Sequence, residues 1–246
     1  MTTFSGTGRN ILRLLVISPN TSEKFLEAQR RELLDLPYVE VIGIMRGPES
    51  VECYYDDMLA APHIAQLAEK GERDGFDAVV ISCFFDPALR PARELLSIPV
   101  TSAGEASLLL ACSLGDKIGI VTTVENSVPV IHHLVKGMGL ESRVVSVRAA
   151  SLGVLELDKS ENTIQALFKE AASTIEEDGA DVIVLGCTGM TEAAALLQQR
   201  LSSSRLDVPV VDPLRAAICL AETLVKLRLR QSSRAYSKPP AKKRIN

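Results

Sequence analysis

Tryptophan is missing from this sequence of 246 residues, and the remaining aromatic residues are few, with 4 Tyr and 6 Phe. A core without large rings has to be built from aliphatic side chains, and 46% of the residues are hydrophobic. That share, together with 24% charged residues, is ordinary for a soluble globular protein. We therefore expect a core of Leu, Val, Ile and Ala, in one large domain or two small ones.

Several features that define other classes of protein are also missing. No run of 18 or more apolar residues occurs, so no membrane span is expected. Residues 1–16 hold neither the apolar region of a signal peptide nor a small-residue cleavage site. The formal net charge of -4 gives no support to nucleic-acid binding. We expect neither a membrane nor a nucleic acid as a partner.

Cysteine occurs five times, but no C-x-x-C pair and no Cys/His cluster with metal-ligand spacing is present. An odd number of cysteines in a chain of this length does not suit a disulfide framework. The glycine-rich signatures of phosphate-binding loops are absent as well. We expect free thiols in a reducing, cytoplasmic setting, and neither a metal nor an organic cofactor.

Near-continuous apolar runs, rich in β-branched residues, alternate along the chain with segments of helical pattern. Such runs are typical of parallel strands that are covered by helices on both faces. The alternation predicts an α/β fold with parallel sheets. The predicted strands are 11–17, 39–44, 77–82, 117–122, 181–186 and 208–211. The predicted helices are 22–35, 63–74, 127–138, 161–178 and 192–201.

Two of these strands end alike, in DAVVISCFFDP and DVIVLGCTGM, with a cysteine six positions after an aspartate. Cys83 follows Ser18, where the first strand ends, at an interval of 65 residues. Cys187 follows Thr122, where another strand ends, at the same interval of 65 residues. The equal spacing indicates an internal repeat.

The repeat predicts two pseudo-symmetric lobes, each a parallel sheet flanked by helices, with an active site in the cleft between them. Lobe one is assigned to 11–103 and lobe two to 104–211, and a helix over 213–230 is expected to complete lobe one. The ends at 1–10 and 231–246 are predicted to be disordered tails, the second because it is polar and basic with two prolines.

The repeated cysteines lie where α/β sheets bind their ligands, outside the carboxyl ends of the strands. Pseudo-twofold lobes would point Cys83 and Cys187 at each other across a cleft. One thiolate could then take a proton from a carbon while the other thiol delivers a proton to the opposite face. Backbone N–H groups of the following turns are expected to lower both thiol pKa values and to stabilise the anion.

A free cysteine is often no more than a small core residue, and only the matched positions in the repeat favour function for this pair. Cys112 and Cys219 have no such match and fall in apolar helical stretches, so we interpret them as core residues. Cys53 lies in a polar loop and stays unassigned.

Over residues 12–225 the chain resembles the aspartate/glutamate/hydantoin racemase superfamily. The motifs that carry the resemblance are SPNTS, GPESVE, SCFFDP, IPVTSAGEA, VTT, GCTGM and VPVVDPLRAA. Amino-acid racemases of the superfamily tend to follow the cysteines with Asn-Thr and Thr-His. Here Phe84-Phe85 and Thr188-Gly189 follow instead, which is most similar to the hydantoin and allantoin racemase branch. A departure is Ser18, where many relatives have asparagine.

This resemblance implies a cofactor-independent racemase that inverts the C5 centre of 5-substituted hydantoins, with Cys83 and Cys187 as the catalytic pair. Phe84 and Phe85 belong either to the core or to an apolar pocket wall, which would suit a flat, largely uncharged ring. We also expect a homo-oligomer acting on a small-molecule substrate. The residues that the resemblance implies around the ligand are Asn20, Ser82, Thr122, Thr123, Thr188 and Gly189.

Other functions stay open on the sequence alone. An allantoin racemase is barely separable, because allantoin is itself a substituted hydantoin. A related aspartate/glutamate racemase stays an alternative. A maleate-type isomerase would need a more polar pocket than Phe84 and Phe85 suggest, and a decarboxylase would need only one of the two cysteines. From different classes come a non-enzymatic small-molecule binding protein and a thiol-redox protein.

Overall fold

A computed structural model describes residues 12–157 and 160–243, which form two four-stranded parallel sheets flanked by helices. The predicted α/β fold with two lobes is confirmed. The tail predicted over 1–10 lies outside the described residues. Within the described ranges, no helix combines the length and the apolar character that crossing a bilayer requires.

The first sheet has the strand order β2-β1-β3-β4, and all its strands run parallel. Its strands are β1 (Leu14–Ser18), β2 (Val39–Gly43), β3 (Ala78–Ile81) and β4 (Val100–Ser102). The helices of this part of the chain are α1 (Glu23–Glu32), α2 (Tyr54–Arg73) and α3 (Leu89–Leu95).

The second sheet repeats this order as β6-β5-β7-β8, again parallel throughout. Its strands are β5 (Ile118–Thr122), β6 (Val144–Ala149), β7 (Val182–Leu185) and β8 (Val210–Val211). The helices of this later part of the chain are α4 (Ala103–Ala111), α5 (Ser127–Gly137), α6 (Glu161–Glu176), α7 (Thr191–Ser203) and α8 (Pro213–Lys226). Short 3₁₀ turns lie at Val154–Glu156 and Thr188–Met190.

One of three hydrophobic clusters in the described residues spans both lobes, and the other two lie within one lobe each. The cluster that spans both lobes contains Val16 and Val80 of the first sheet together with Ile120 and Val184 of the second. Helices α4 and α8 pack against each other between the sheets, with α8 on β3 and β4 and α4 on β7 and β8. The central strands β1, β3, β5 and β7 are therefore buried on both faces, which explains their continuous apolar sequences.

Several elements differ from the sequence prediction, which gave no bounds for β4, β6, α3 and α4. Strand β6 was not predicted, because it is a half-exposed edge strand whose residues do not form a continuous apolar run. Helix α2 begins at Tyr54 rather than at 63 and continues through Pro62. The Asp56 carboxylate accepts hydrogen bonds from the Glu52 backbone N–H and the Cys53 thiol, so it organises the start of this longer helix.

Three residues of the segment predicted as a tail over 231–246 contact the first lobe: Gln231, Tyr236 and Lys238. The side-chain amide of Gln231 accepts from the backbone N–H of Val100 at 3.0 Å and donates to its carbonyl oxygen at 2.9 Å. The Arg93 guanidinium donates to the Tyr236 hydroxyl and lies 5.4 Å from the centre of that ring. The Gln231 amide thereby pairs the Val100 N–H of the edge strand β4 and shares the Val100 carbonyl oxygen with the Arg93 guanidinium, and composition cannot reveal such a fit.

Replacing Gln231 by alanine should destabilise the protein by about 1 kcal/mol, because both bonds to Val100 are lost together. The measurement is the free energy of unfolding in urea. The matched control is Gln199→Ala, which removes the same side chain from the exposed surface of α7. Equal stability of the two variants would show that the segment does not close the sheet edge.

Candidate active site

Each repeated cysteine stands two residues beyond the end of its strand, Cys83 after β3 and Cys187 after β7. The backbone N–H of the residue two positions further on is directed at each sulphur. Gly189 donates to the Sγ atom of Cys187 at 3.4 Å, and Phe85 donates to Cys83. The repeat therefore extends from the sheets to the geometry of the two turns.

The two cysteines line a single cleft between the lobes. Its cavity volume is about 30 Å³, which is on the order of the space that one water molecule occupies. The cleft is thus narrow at the two thiols, and a ring can fit between them only if it widens. The other residues that line it are Pro19, Asn20, Phe25, Val51, Ser82, Phe84, Phe85, Thr123, Ser127, Val154, Gly186 and Thr188.

The expectation that the turns lower the thiol pKa values is wrong. Burial raises the pKa of Cys187 to about 12, and the N–H of Gly189 only partly offsets it. Burial also raises the pKa of Cys83 well above its ordinary value, and the charge of Cys187 raises it further. Loss of water around the anion outweighs one N–H bond to each sulphur. Both groups are therefore thiols at neutral pH in the unliganded protein.

Ser82 connects the two lobes beside the cysteines. Its carbonyl oxygen accepts from the hydroxyl of Thr188 at 3.1 Å, and its own hydroxyl oxygen accepts from the Nε2 atom of Gln29 at 2.7 Å. Asn20 is 4% exposed, and its amide donates to Ser18 and accepts from the backbone N–H of Ser22. Asn20 therefore holds the turn after β1 as well as lining the cleft.

Two of the predicted ligand-contacting residues do not line the cleft. Thr122 donates to the carbonyl oxygen of Gly186 at 3.4 Å, so it supports the turn that carries Cys187. A side chain at Gly189 would meet the ring of Phe25 at 2.8 Å, which leaves no room for more than a hydrogen there. Thr122 and Gly189 therefore support the structure around the cleft without lining it, whereas Phe84 and Phe85 form part of its wall.

Six lining residues were missed in the sequence: Pro19, Phe25, Val51, Ser127, Val154 and Gly186. Val51 lies in the motif GPESVE, which carried the resemblance but has the composition of an ordinary turn. The neighbouring Glu52 carboxylate accepts from the backbone N–H of Val154 at 3.1 Å. This bond ties a loop of lobe one to a turn of lobe two at the cleft, a contact between distant segments that spacing does not reveal.

A carboxylate caps the N-terminus of each of the two helices between the lobes, α4 and α8. The two carboxylates do not occupy equivalent positions in the internal repeat. Asp86, three residues after Cys83, accepts from the N–H groups of Gly104 and Glu105 at the start of α4. Asp212 caps α8 from the helix's own N-cap position and accepts from the hydroxyl of Thr191. Burial raises the pKa of Asp86 to about 7. The surroundings of the two cysteines are therefore not identical.

The arrangement can move protons rather than hold a metal. In the described residues, no group of three or more His, Cys, Asp or Glu side chains is placed to bind a metal ion. All five cysteines are free thiols. Two thiols in one cleft, with backbone and hydroxyl donors around them, can take and give protons.

The family model described as Asp/Glu/Hydantoin racemase matches residues 14–221 of this chain. A hydantoin racemase of Pseudomonas sp. (strain NS671) is 37% identical over 238 residues, which cover 94% of this chain and 93% of the relative. The structure of an allantoin racemase from Klebsiella pneumoniae matches with a TM-score of 0.87 and 31% identity, covering 96% of each chain. An allantoin racemase from Pseudomonas fluorescens matches with a TM-score of 0.84 and 34% identity, over 96% of this chain and all of that one.

Alkylation by iodoacetamide at neutral pH should modify Cys219 first and Cys83 last. Cys219 is exposed, so its interpretation as a core residue is wrong. Cys83 is 8% exposed and its pKa is raised well above its ordinary value, so little thiolate is accessible there. Timed labelling followed by peptide mapping measures the order, and the urea-unfolded chain provides the reference in which all five react alike. Faster labelling of Cys83 or Cys187 than of Cys219 would contradict the buried-thiol geometry.

Proposed function

The chain belongs to the Asp/Glu/hydantoin racemase family, and we propose that it racemises 5-substituted hydantoins at C5 without a cofactor. Racemase activity follows from its relatives over nearly the whole chain. The observation that carries the proposal is the meeting of Cys83 and Cys187 in one narrow cleft, on turns of the same geometry.

The proposed reaction uses the two cysteines as a base and an acid. A thiolate on one side removes the C5 proton, and the electron pair left behind is delocalised into the neighbouring ring carbonyl. The thiol on the other side then gives its proton to the opposite face of C5, so the first sulphur ends as a thiol and the second as a thiolate. The mirror-image substrate runs through the same steps with the roles of Cys83 and Cys187 exchanged.

The raised thiol pKa values suit this reaction. A carbon-bound proton is weakly acidic, and a thiolate of high pKa is a correspondingly strong base. The N–H groups of Phe85 and Gly189 each give one sulphur a hydrogen bond that strengthens when the sulphur is ionised. The same narrow cleft that disfavours the thiolate also keeps water away from the carbanion.

Allantoin is the second candidate substrate, since two structures of similar fold and 31% and 34% identity are allantoin racemases. It carries the same ring and the same C5 centre, so the mechanism is unchanged. Aspartate, glutamate and maleate fit less well, because Phe84 and Phe85 offer no charge to pair with two carboxylates.

The proposal includes a cytoplasmic location and a homo-oligomer. Five free thiols would be preserved in a reducing compartment. The first turns of α2 expose the apolar side chains of Tyr54, Tyr55 and Met58, which would be covered in an assembly.

The value of kcat/KM should rise about tenfold per pH unit between about pH 6 and pH 8, because it reports the ionisation of the free enzyme. Burial raises the pKa of Cys187 to about 12 and that of Cys83 well above its ordinary value. Each step up in pH therefore increases the small thiolate fraction, and each step down decreases it. Initial rates followed by circular dichroism of the substrate, corrected for the rate without enzyme, provide the measurement. A plateau already below pH 8 would contradict the raised pKa values.

Replacing either Cys83 or Cys187 by serine should slow racemisation on the order of 100-fold or more, since serine is a far weaker acid and base. The remaining thiolate can still remove and return a proton on its own face. Each variant should therefore exchange deuterium into one enantiomer only, with opposite preference in the two variants. Proton NMR of each enantiomer in deuterated water measures this.

The control for these variants is Cys112→Ser, which changes a thiol that does not line the cleft. It should racemise at the rate of the unchanged protein. If both site variants also racemise at that rate, the two-cysteine mechanism is wrong.

A further inference from the structure

We propose that the substituent on C5 enters a second chamber behind Phe25 and Val154, where the Oε1 atom of Gln29 accepts a hydrogen bond from it. The substrates best suited to this chamber are hydantoins whose substituent carries N–H groups, such as a ureido group. The inference rests on the proposed racemisation of hydantoins and adds to it a binding site for the substituent.

The chamber adjoins the cleft and is far larger. Its volume is about 440 Å³, and Phe25 and Val154 line both spaces. That volume lies in the range of small-molecule pockets, whereas the cleft itself has room for about one water molecule. Gly189, whose N–H is bonded to the Cys187 sulphur, also lines the chamber. A substituent on a carbon held between the two thiols therefore has this chamber as a neighbour.

Gln29 provides a buried acceptor atom, Oε1, that can accept a hydrogen bond from a ligand. Its side chain lines the chamber and is 1% exposed. The Nε2 atom donates to the hydroxyl oxygen of Ser82 at 2.7 Å, while the buried Oε1 atom has no hydrogen-bond partner in the part of the chain that is described. A buried carbonyl oxygen without a donor is costly, so native structures rarely keep one without a reason. An N–H group of a ligand would satisfy it.

The charges around the chamber favour the same kind of ligand. Four carboxylate side chains line it, against the two cations Lys24 and Arg31. The charge of Glu32 also raises the pKa of Cys187, which places this carboxylate within electrostatic reach of the reacting centre. N–H donors are attracted by such surroundings, and a substituent that is itself a carboxylate is repelled. The four carboxylates belong to Glu32, Glu49, Glu156 and Glu192.

A third cavity, of about 360 Å³, lies on the other side of the cleft behind Phe85. Three of its polar side chains are already paired: Arg93 forms an ion pair with Glu105, and Asp86 accepts the N–H groups that begin α4. Among the described residues that line it, none has a fully buried polar atom without a hydrogen-bond partner, and this distinguishes it from the Gln29 chamber.

Three hydantoins that differ only at C5 test the inference: allantoin with its ureido group, 5-isobutylhydantoin and 5-carboxymethylhydantoin. In the unchanged protein, kcat/KM should be at least about tenfold higher for allantoin than for the isobutyl compound, and lowest for the carboxymethyl compound. In Gln29→Leu the ratio of allantoin to isobutyl kcat/KM should fall at least about tenfold. Any disturbance of Ser82 affects both substrates and cancels in this ratio. The matched control, Gln199→Leu on the exposed surface of α7, should leave the ratio within about twofold.

Two results would overturn the chamber while leaving the proposed function intact. One is a preference for the isobutyl over the ureido substrate in the unchanged protein. The other is an equal loss for both substrates in Gln29→Leu, which would mean that Gln29 only positions Ser82. Absence of racemisation with all three compounds would instead reject the proposed function itself.

Discussion

Desolvation of the two thiols that line one cleft is the constraint on which the site depends. Parallel strands that are buried on both faces deliver Cys83 and Cys187 into a cleft with almost no room for water. Each sulphur receives one backbone N–H, but the loss of hydration dominates. Both thiols are therefore weak acids, and their thiolates are correspondingly strong bases. A polar, water-filled cleft would give more thiolate, but each thiolate would be a weaker base.

The fold and the position of the cysteine pair could be predicted because both depend on local patterns. Continuous apolar strands and equal spacing between Ser18 and Cys83 and between Thr122 and Cys187 encode them directly. Edge strand β6 was missed because its half-exposed residues give no such pattern.

Features that depend on contacts between residues far apart in sequence could not be predicted from local patterns. The bond from Val154 to Glu52, the place of Phe25 in the wall and the docking of Gln231 on β4 all join segments far apart in sequence. The raised thiol pKa values belong to the same group, because burial depends on everything that packs around a residue. The sequence of a turn predicts which backbone N–H donates to the sulphur, but it does not predict how much water surrounds that sulphur.

The placement of α8 has a consequence for the order in which the chain can fold during synthesis. This helix covers β3 and β4, whose residues leave the ribosome more than a hundred positions earlier. Until α8 has been made, the nascent first lobe presents an uncovered apolar sheet face, a surface prone to aggregation. The two lobes thus have the same strand order, but the first lobe cannot complete its packing until the end of the chain has been synthesised. A chain interrupted before α8 would carry both cysteine turns, yet it would lack the helix that completes the core the lobes share.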